Sequence, residues 1–176
     1  MHISNSPEYI PAIHRLYIES YSKGTSSQYI DEIELRSYLA EILQTGSALL
    51  FVENDVLKAC LLFTPLAYDK HCPESIISEF QMEKCVYIAE VMVSEPFRGQ
   101  GLGKLLLNEF FDIVDKQKFK DVFLRVWDEN VPALKLYEKM GFKICASIEQ
   151  SKKAPDGISD FVMKKIYLHK ALSALI

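Results

Sequence analysis

Apolar positions along the chain change their period several times, and each change marks an element. Ile10, Ile13, Leu16 and Tyr17 recur at helical spacing after Pro7, a residue tolerated in a first helical turn, and predict a helix to about Tyr21. A short strand at 2–4 precedes it. Lys23, Gly24, Thr25, Ser26 and Ser27 break this helix, and Ile30, Ile33, Tyr38, Leu39 and Ile42 predict a second, less regular one ending near Gly46. Residues 48–53 and 56–64 are apolar, β-branched or aromatic runs joined by Asn54 and Asp55, the pattern of a hairpin with a tight polar turn. From 65 to 84 the pattern is irregular, with a short helical stretch at about 74–80. A connection this long inside a domain is usually functional or disordered.

Residues 86–93 form a nearly continuous apolar run interrupted by Glu90, which predicts a central strand buried on both faces. Leu102, Leu105, Leu106, Phe110, Ile113 and Val114 predict a helix over 101–116, and 122–127 supplies the next strand, parallel to the first because of the crossover. Asn130 suits a helix cap, with Pro132 in the first turn, Leu134, Leu136, Tyr137 and Met140 on the helix, and Gly141 as its stop. Residues 142–148 and 160–167 predict a closing hairpin around a polar tip at 152–157.

Composition narrows the picture. The 176 residues are 49% apolar with 7 Gly and 7 Pro, enough for one sizeable core and few for two, so a single domain over 1–176 is expected. A net charge of −4 argues against a broad basic face gripping nucleic acid. Cys60, Cys72, Cys85 and Cys145 form no C-x-x-C pair, three of them sit in or beside apolar runs where a small buried thiol is the ordinary reading, and no metal is expected. The start of the chain lacks the features of a signal peptide, and no apolar run has the roughly 18 residues of a membrane span, so a cytoplasmic protein with no membrane partner is expected.

The sharpest local signal follows the strand that ends at Val93. After Ser94, Glu95, Pro96 and Phe97 come Arg98, Gly99, Gln100, Gly101, Leu102, Gly103 and Lys104, opening a helix. Glycines let the backbone approach a ligand closely, and amides at a helix start attract an anion, which points to a phosphate-bearing ligand. The spacing is neither G-x-G-x-x-G nor G-x-x-x-x-G-K-[ST], which sets aside the Rossmann fingerprint and the Walker loop. A glycine-rich turn with no ligand has the same local composition.

The strand residues Val91, Met92 and Val93 with the run Arg98-Gly99-Gln100-Gly101-Leu102-Gly103 resemble the central Arg/Gln-x-x-Gly-x-Gly/Ala motif of the GNAT N-acetyltransferases. Asn130, Ala133, Leu136, Tyr137, Gly141 and Phe142 are similar to the family's second hallmark, Asn-x-x-Ala-x-x-Leu-Tyr-x-x-x-Gly-Phe. The resemblance implies an α/β (α+β) GNAT fold, a mixed central sheet of about six to seven strands with a splayed cofactor cleft, flanked by about four helices. It also implies acetyl-CoA as acyl donor. Backbone groups of Val91, Met92 and Val93 would pair with its pantetheine, amides of Arg98, Gly99, Gln100, Gly101, Leu102, Gly103 and Lys104 would hold its pyrophosphate, and Asn130 would lie beside the pantetheine arm. Arg98, Lys104, Lys135 and Lys139 can add positive charge near a polyanion, or serve as solvated surface charges.

By the same resemblance Tyr137 protonates the departing thiolate, a transfer compatible with a phenol pKa of about 10 and a thiol pKa of about 8.5. Tyr137 also suits plain packing on its helix. Glu90, on the strand face shared with Ile88 and Met92, is a candidate base or substrate anchor, or a structural carboxylate with a buried donor. His71 and Glu95 are lesser candidates. The expected reaction is direct attack of a primary amine, favoured as a small molecule, on the thioester in a ternary complex, and no cysteine lies in a nucleophile constellation. A chain that binds acyl-CoA without turnover, as a sensor or interaction module, is the alternative from another class. The apolar tail at 171–176 suits either a second copy, giving a homodimer, or its own chain.

Overall fold

The computed structural model describes residues 2–4, 7–24 and 27–172; Thr25, Ser26 and residues 173–176 of the apolar tail lie outside them. In chain order the elements are β1 (His2–Ser4), α1 (Ile10–Tyr21), α2 (Glu32–Thr45), β2 (Ser47–Glu53), β3 (Val56–Pro65), α3 (Glu74–Glu79), β4 (Cys85–Val93), α4 (Leu102–Ile113), β5 (Asp121–Trp127), α5 (Val131–Lys139), β6 (Lys143–Lys153) and β7 (Asp160–Ala171). Among the described residues, seven strands of mixed direction and five α-helices make a mixed α/β fold, one helix more than expected, the addition being the six-residue α3. The chain forms two compact units.

The first unit holds the residues up to Phe63, Glu90–Ile113 and Lys152–Phe161. β1 pairs antiparallel with β2, and β2 with β3. The β2–β3 turn has positive φ at both Asn54 (50°) and Asp55 (60°), the backbone of a type I′ turn, which asparagine and aspartate tolerate better than other side chains. Asp31 caps α2 by accepting the N–H groups of Ile33 and Glu34 at 2.8 and 3.0 Å. α4 buries Leu106, Leu107 and Phe110, and the Phe110 ring stands edge-on to Phe63 of β3 at 5.2 Å. Each such side chain contributes about 1.5–3 kcal/mol relative to exposure. α4 stops at Ile113 rather than near 116. The Asp115 carboxylate accepts the N–H groups of Gln117 and Lys118, a local turn that competes with the helix.

The second unit holds Thr64–Ala89, Val114–Ser151 and the residues from Val162. β4 and β5 pair in parallel from Cys85 opposite Asp121 to Ile88 opposite Leu124, as the crossover demands, and β5 pairs antiparallel with β7 over seven residues. The irregular 65–84 segment is ordered by burial: Leu66 and Ile76 pack with Cys85, Tyr87, Phe123 and Tyr167. Asn130 caps α5 through the Ala133 N–H, and Gly141 ends it at φ 86°. β6 and β7 are longer than expected. Polar side chains on β6 alternate with half-buried ones as far as Lys153, so a strand has the composition of a loop, and the tip shrinks to a turn closed by the Ala154 N–H on the Ser159 carbonyl. Among the described residues no helix is long and apolar enough to cross a membrane.

Candidate active site

The Gly-rich segment lies in the first unit, between the end of β4 and α4. Gly99 and Gly101 have φ of 74° and 81°, conformations that cost other residues about 1–2 kcal/mol, and a Cβ at either would meet open space. The space is what a close ligand requires. Alternating backbone signs gather N–H groups into an anion-binding concavity. The first helical bond runs from the Leu105 N–H to the Gly101 carbonyl, so the N–H groups of Leu102, Gly103 and Lys104 precede any intrahelical partner. These features fit a diphosphate.

The approach to this loop is pinned from three sides. Glu19 of α1 accepts the Glu95 N–H at 2.6 Å and the Ser94 hydroxyl at 3.0 Å. The Ser94 N–H donates to the Lys58 carbonyl on β3, and the Lys58 ammonium lies 4.4 Å from the Phe97 ring centroid. Arg98 reaches back, its Nε donating to the Val93 carbonyl at 3.1 Å. The side chain expected to add positive charge thus also closes the turn. Lys104 is exposed on the same unit. Of the backbone groups expected to meet pantetheine, the Val93 carbonyl already has this partner, while Val91 and Met92 continue β4 with Met92 buried.

Glu90 lies next to those residues on β4 and is half-buried. Its Oε2 accepts the Tyr21 hydroxyl at 2.5 Å, and its Oε1 accepts that of Tyr38 at 2.7 Å. Two helices, α1 and α2, therefore converge on one carboxylate. Tyr17 joins them, with its ring centroid 4.6 Å from that of Tyr21 and 6.1 Å from that of Tyr38. Helical periodicity marked Tyr17 and Tyr38 as apolar-face residues, but carried no sign that two hydroxyls meet a residue of a distant strand. Glu90 also bears on Cys60 of β3: burial first, then the nearby carboxylate, pushes that thiol far up.

The second unit holds the other expected residues. Tyr137 is buried on α5, edge-on to Phe142 with centroids 6.0 Å apart. Asn130 spends its side chain on the α5 cap, and Lys135 and Lys139 are exposed. His71 is exposed, 3.2 Å from Gln150. Pattern reading missed a buried network here. The Asp69 carboxylate accepts the Tyr167 hydroxyl at 2.7 Å and pairs with Arg125 at 3.3 Å, while Arg125 also donates to the Tyr167 oxygen at 2.9 Å. Burial opposes the guanidinium charge, but Tyr87, Asp69 and Tyr167 outweigh it and raise the Arg125 pKa. Of the four cysteines Cys60 and Cys85 are buried as expected, but Cys72 is only half-buried and Cys145 is exposed; the Cys72 thiol is raised to about 11, mainly by desolvation, and is a poor nucleophile at neutral pH.

A mixed α/β fold with a parallel strand pair and a positive-φ glycine loop at a helix start has backbone amides arranged as an anionic ligand requires. The chain belongs to the acetyltransferase (GNAT) family, whose model matches residues 10–142. It is 43% identical over 61 residues to the N-terminal acetyltransferase B complex catalytic subunit of Arabidopsis thaliana, a stretch covering 33% of this chain and 34% of that protein. It is 26% identical over 65 residues to the spermine/spermidine N(1)-acetyltransferase of Bacillus subtilis, covering 36% and 43% respectively. The matches therefore span 34% and 43% of these relatives' own length. Among solved structures, a ribosomal-protein-alanine N-acetyltransferase from Brucella melitensis matches at TM-score 0.71 and 17% identity, over 98% of this chain and 100% of that one. A protein of Salmonella typhimurium solved with acetyl-CoA matches at TM-score 0.71 and 16% identity, over 100% of this chain and 96% of that one. At such identities the likeness is one of fold.

Proposed function

We propose that the chain is an acetyl-CoA-dependent N-acetyltransferase that acylates a primary amine of a small molecule by direct attack, with the whole chain acting as one catalytic domain. The observation that carries this reading is the pair of positive-φ glycines, Gly99 and Gly101, leading into the first-turn amides of α4, which precede any intrahelical partner. Acetyl-CoA supplies the activated acyl group. Amides from the 98–104 segment hold its diphosphate, backbone groups of Val91, Met92 and Val93 orient its pantetheine, and Asn130 borders that arm. Glu90 anchors the amine or accepts its proton, and Tyr137 Oη holds the proton required by the released sulfur. The family membership supports the acetyltransferase class, and a relative named for spermine/spermidine N(1)-acetylation supports a small amine as acceptor.

The test is calorimetric CoA binding beside thiol release from acetyl-CoA, with polyamines, amino acids, aminoglycosides and lysine peptides as acceptors. We expect acceptor-dependent thiol release that Tyr137→Phe cuts at least ~100-fold while leaving CoA affinity intact. CoA binding with no turnover on any acceptor favours a sensor. No CoA binding overturns the reading.

A further inference from the structure

Tyr137, assigned the proton for the released sulfur, lies just before the C-cap of α5 at Met140, and the way this helix stops fixes its surroundings. The Gly141 N–H donates to the Glu138 carbonyl at 2.9 Å and the Phe142 N–H to that of Tyr137 at 3.0 Å, the paired bonds of a Schellman motif, with Gly141 left-handed at φ 86°. The apolar contact that accompanies such a motif falls on the same residue, since the rings of Tyr137 and Phe142 stand edge-on with centroids 6.0 Å apart. The 140–142 loop thus sets both the backbone and the ring of Tyr137. The Met140 carbonyl, at the negative end of the helix, accepts the Lys170 ammonium from β7 at 2.6 Å. Lys170 is anchored in the sheet opposite Val122 of β5, and its stem crosses Gly141, where a Cβ would lie 3.5 Å from Nζ and 3.8 Å from Cε. Burial, then Lys116, lowers the Lys170 pKa, so the charge sits where hydration is reduced.

We propose that Lys170 is a positioning residue for Tyr137: its ammonium holds the Met140 carbonyl, and the 140–142 loop passes that restraint to the Tyr137 carbonyl and ring. This rests on the acetyltransferase reading and adds to it a residue that touches neither substrate. All the residues concerned belong to the second unit. A lysine that merely capped α5 would contribute to stability alone. A lysine that positions Tyr137 contributes to turnover, and does so only while the Tyr137 hydroxyl is present.

The test is a double-mutant cycle of Lys170→Met, which keeps the unbranched stem and removes the ammonium, with Tyr137→Phe. Lys170→Arg is the conservative variant, and circular dichroism checks folding. Turnover is thiol release from acetyl-CoA with whichever polyamine, amino acid, aminoglycoside or lysine peptide serves as acceptor, and CoA affinity is read by calorimetry. We expect Lys170→Met to lower kcat ~10-fold with CoA affinity and KM for acetyl-CoA unchanged, and Lys170→Arg to restore most of the loss. In the Tyr137→Phe background the same substitution is expected to change kcat less than ~2-fold, because the hydroxyl it positions is gone. Amide hydrogen exchange at 140–142 is expected to quicken ~10-fold in Lys170→Met, and the Tyr137 ring NMR signals, assigned by their absence from Tyr137→Phe, to shift. An unchanged kcat in folded Lys170→Met, or equal losses in the two backgrounds, overturns the proposal. If the wild-type chain releases no thiol with any acceptor, the acetyltransferase reading fails by itself. The exchange and ring signals then decide whether Lys170 positions Tyr137: changes in both support it, and unchanged signals overturn it.

Discussion

Glu19 and Ser94, 75 residues apart, are joined where α1 meets the turn after β4: the Glu19 carboxylate accepts the Ser94 hydroxyl at 3.0 Å and, through the same oxygen, the next backbone N–H at 2.6 Å. This turn leads directly to the glycine loop, so α1 sets the angle at which the loop leaves the sheet. Glu19→Ala removes a charged acceptor from two donors, a loss of about 1–2 kcal/mol in positioning. The expected outcome is CoA affinity weakened roughly 5- to 20-fold by calorimetry, with far-UV dichroism unchanged.

Gly101→Ala separates backbone cost from ligand contact. A Cβ at this position meets nothing within 4 Å, but φ is 81°. The expected loss of folding stability is therefore about 1 kcal/mol from strain alone, read by urea denaturation. The methyl also occupies the open space on the ligand side. CoA affinity is expected to fall by considerably more than stability, at least ~10-fold, whereas a loop with only a structural role shows the stability change and no difference in binding.

Elements whose signal is local were legible in the sequence. The Asn54-Asp55 turn, the Asn130 cap and the Gly141 stop each depend on residues within a few positions, and α5 starts and stops close to where those residues place it, whereas the cap of α2 is not among them. Asp31 itself is visible only after the fact, since the apolar pattern alone does not separate it from Ile30. Long-range pairings left no comparable trace. Tyr21 and Tyr38 meet Glu90 across 69 and 52 positions, and Tyr167 meets Asp69 across 98. Periodicity assigns a tyrosine to a helix face; it does not say which carboxylate its hydroxyl will find. Arg98 shows a related limit, because the motif gives it a charge role while the backbone gives its Nε a turn-closing one.

The Asp69, Arg125 and Tyr167 network orders the 65–84 segment, and its parts are unequal. The Asp69 side chain is 2% exposed and that of Arg125 15%. Removing one member of a buried pair strands the other, so Asp69→Ala is expected to cost about 3–5 kcal/mol in chemical denaturation. Tyr167→Phe keeps the ring and both charges but loses the hydroxyl they share, and is expected to cost about 1–2 kcal/mol. Similar losses for the two variants would mean that the ion pair adds nothing beyond the hydroxyl bridge.

Alkaline pH provides a test of the buried thiols. Cys85 has its pKa raised to about 12, first by burial and then by Asp121, and its thiol points to the Gln81 carbonyl at 3.2 Å. An unfolded cysteine titrates near 8.5. Above that value the unfolded chain releases a proton that the folded chain retains, so the unfolded state binds fewer protons and stability falls as pH rises. The contribution is fully present below about pH 8.5 and is lost progressively towards pH 12. Cys85→Ala removes this titration. The variant is expected to begin less stable at pH 7, having lost a buried side chain, and to show a shallower decline in melting temperature between pH 9 and 11 than the wild type. Parallel declines in the two proteins would assign the alkaline loss to other groups, Cys60 and Tyr167 first, since burial raises both of their pKa values as well.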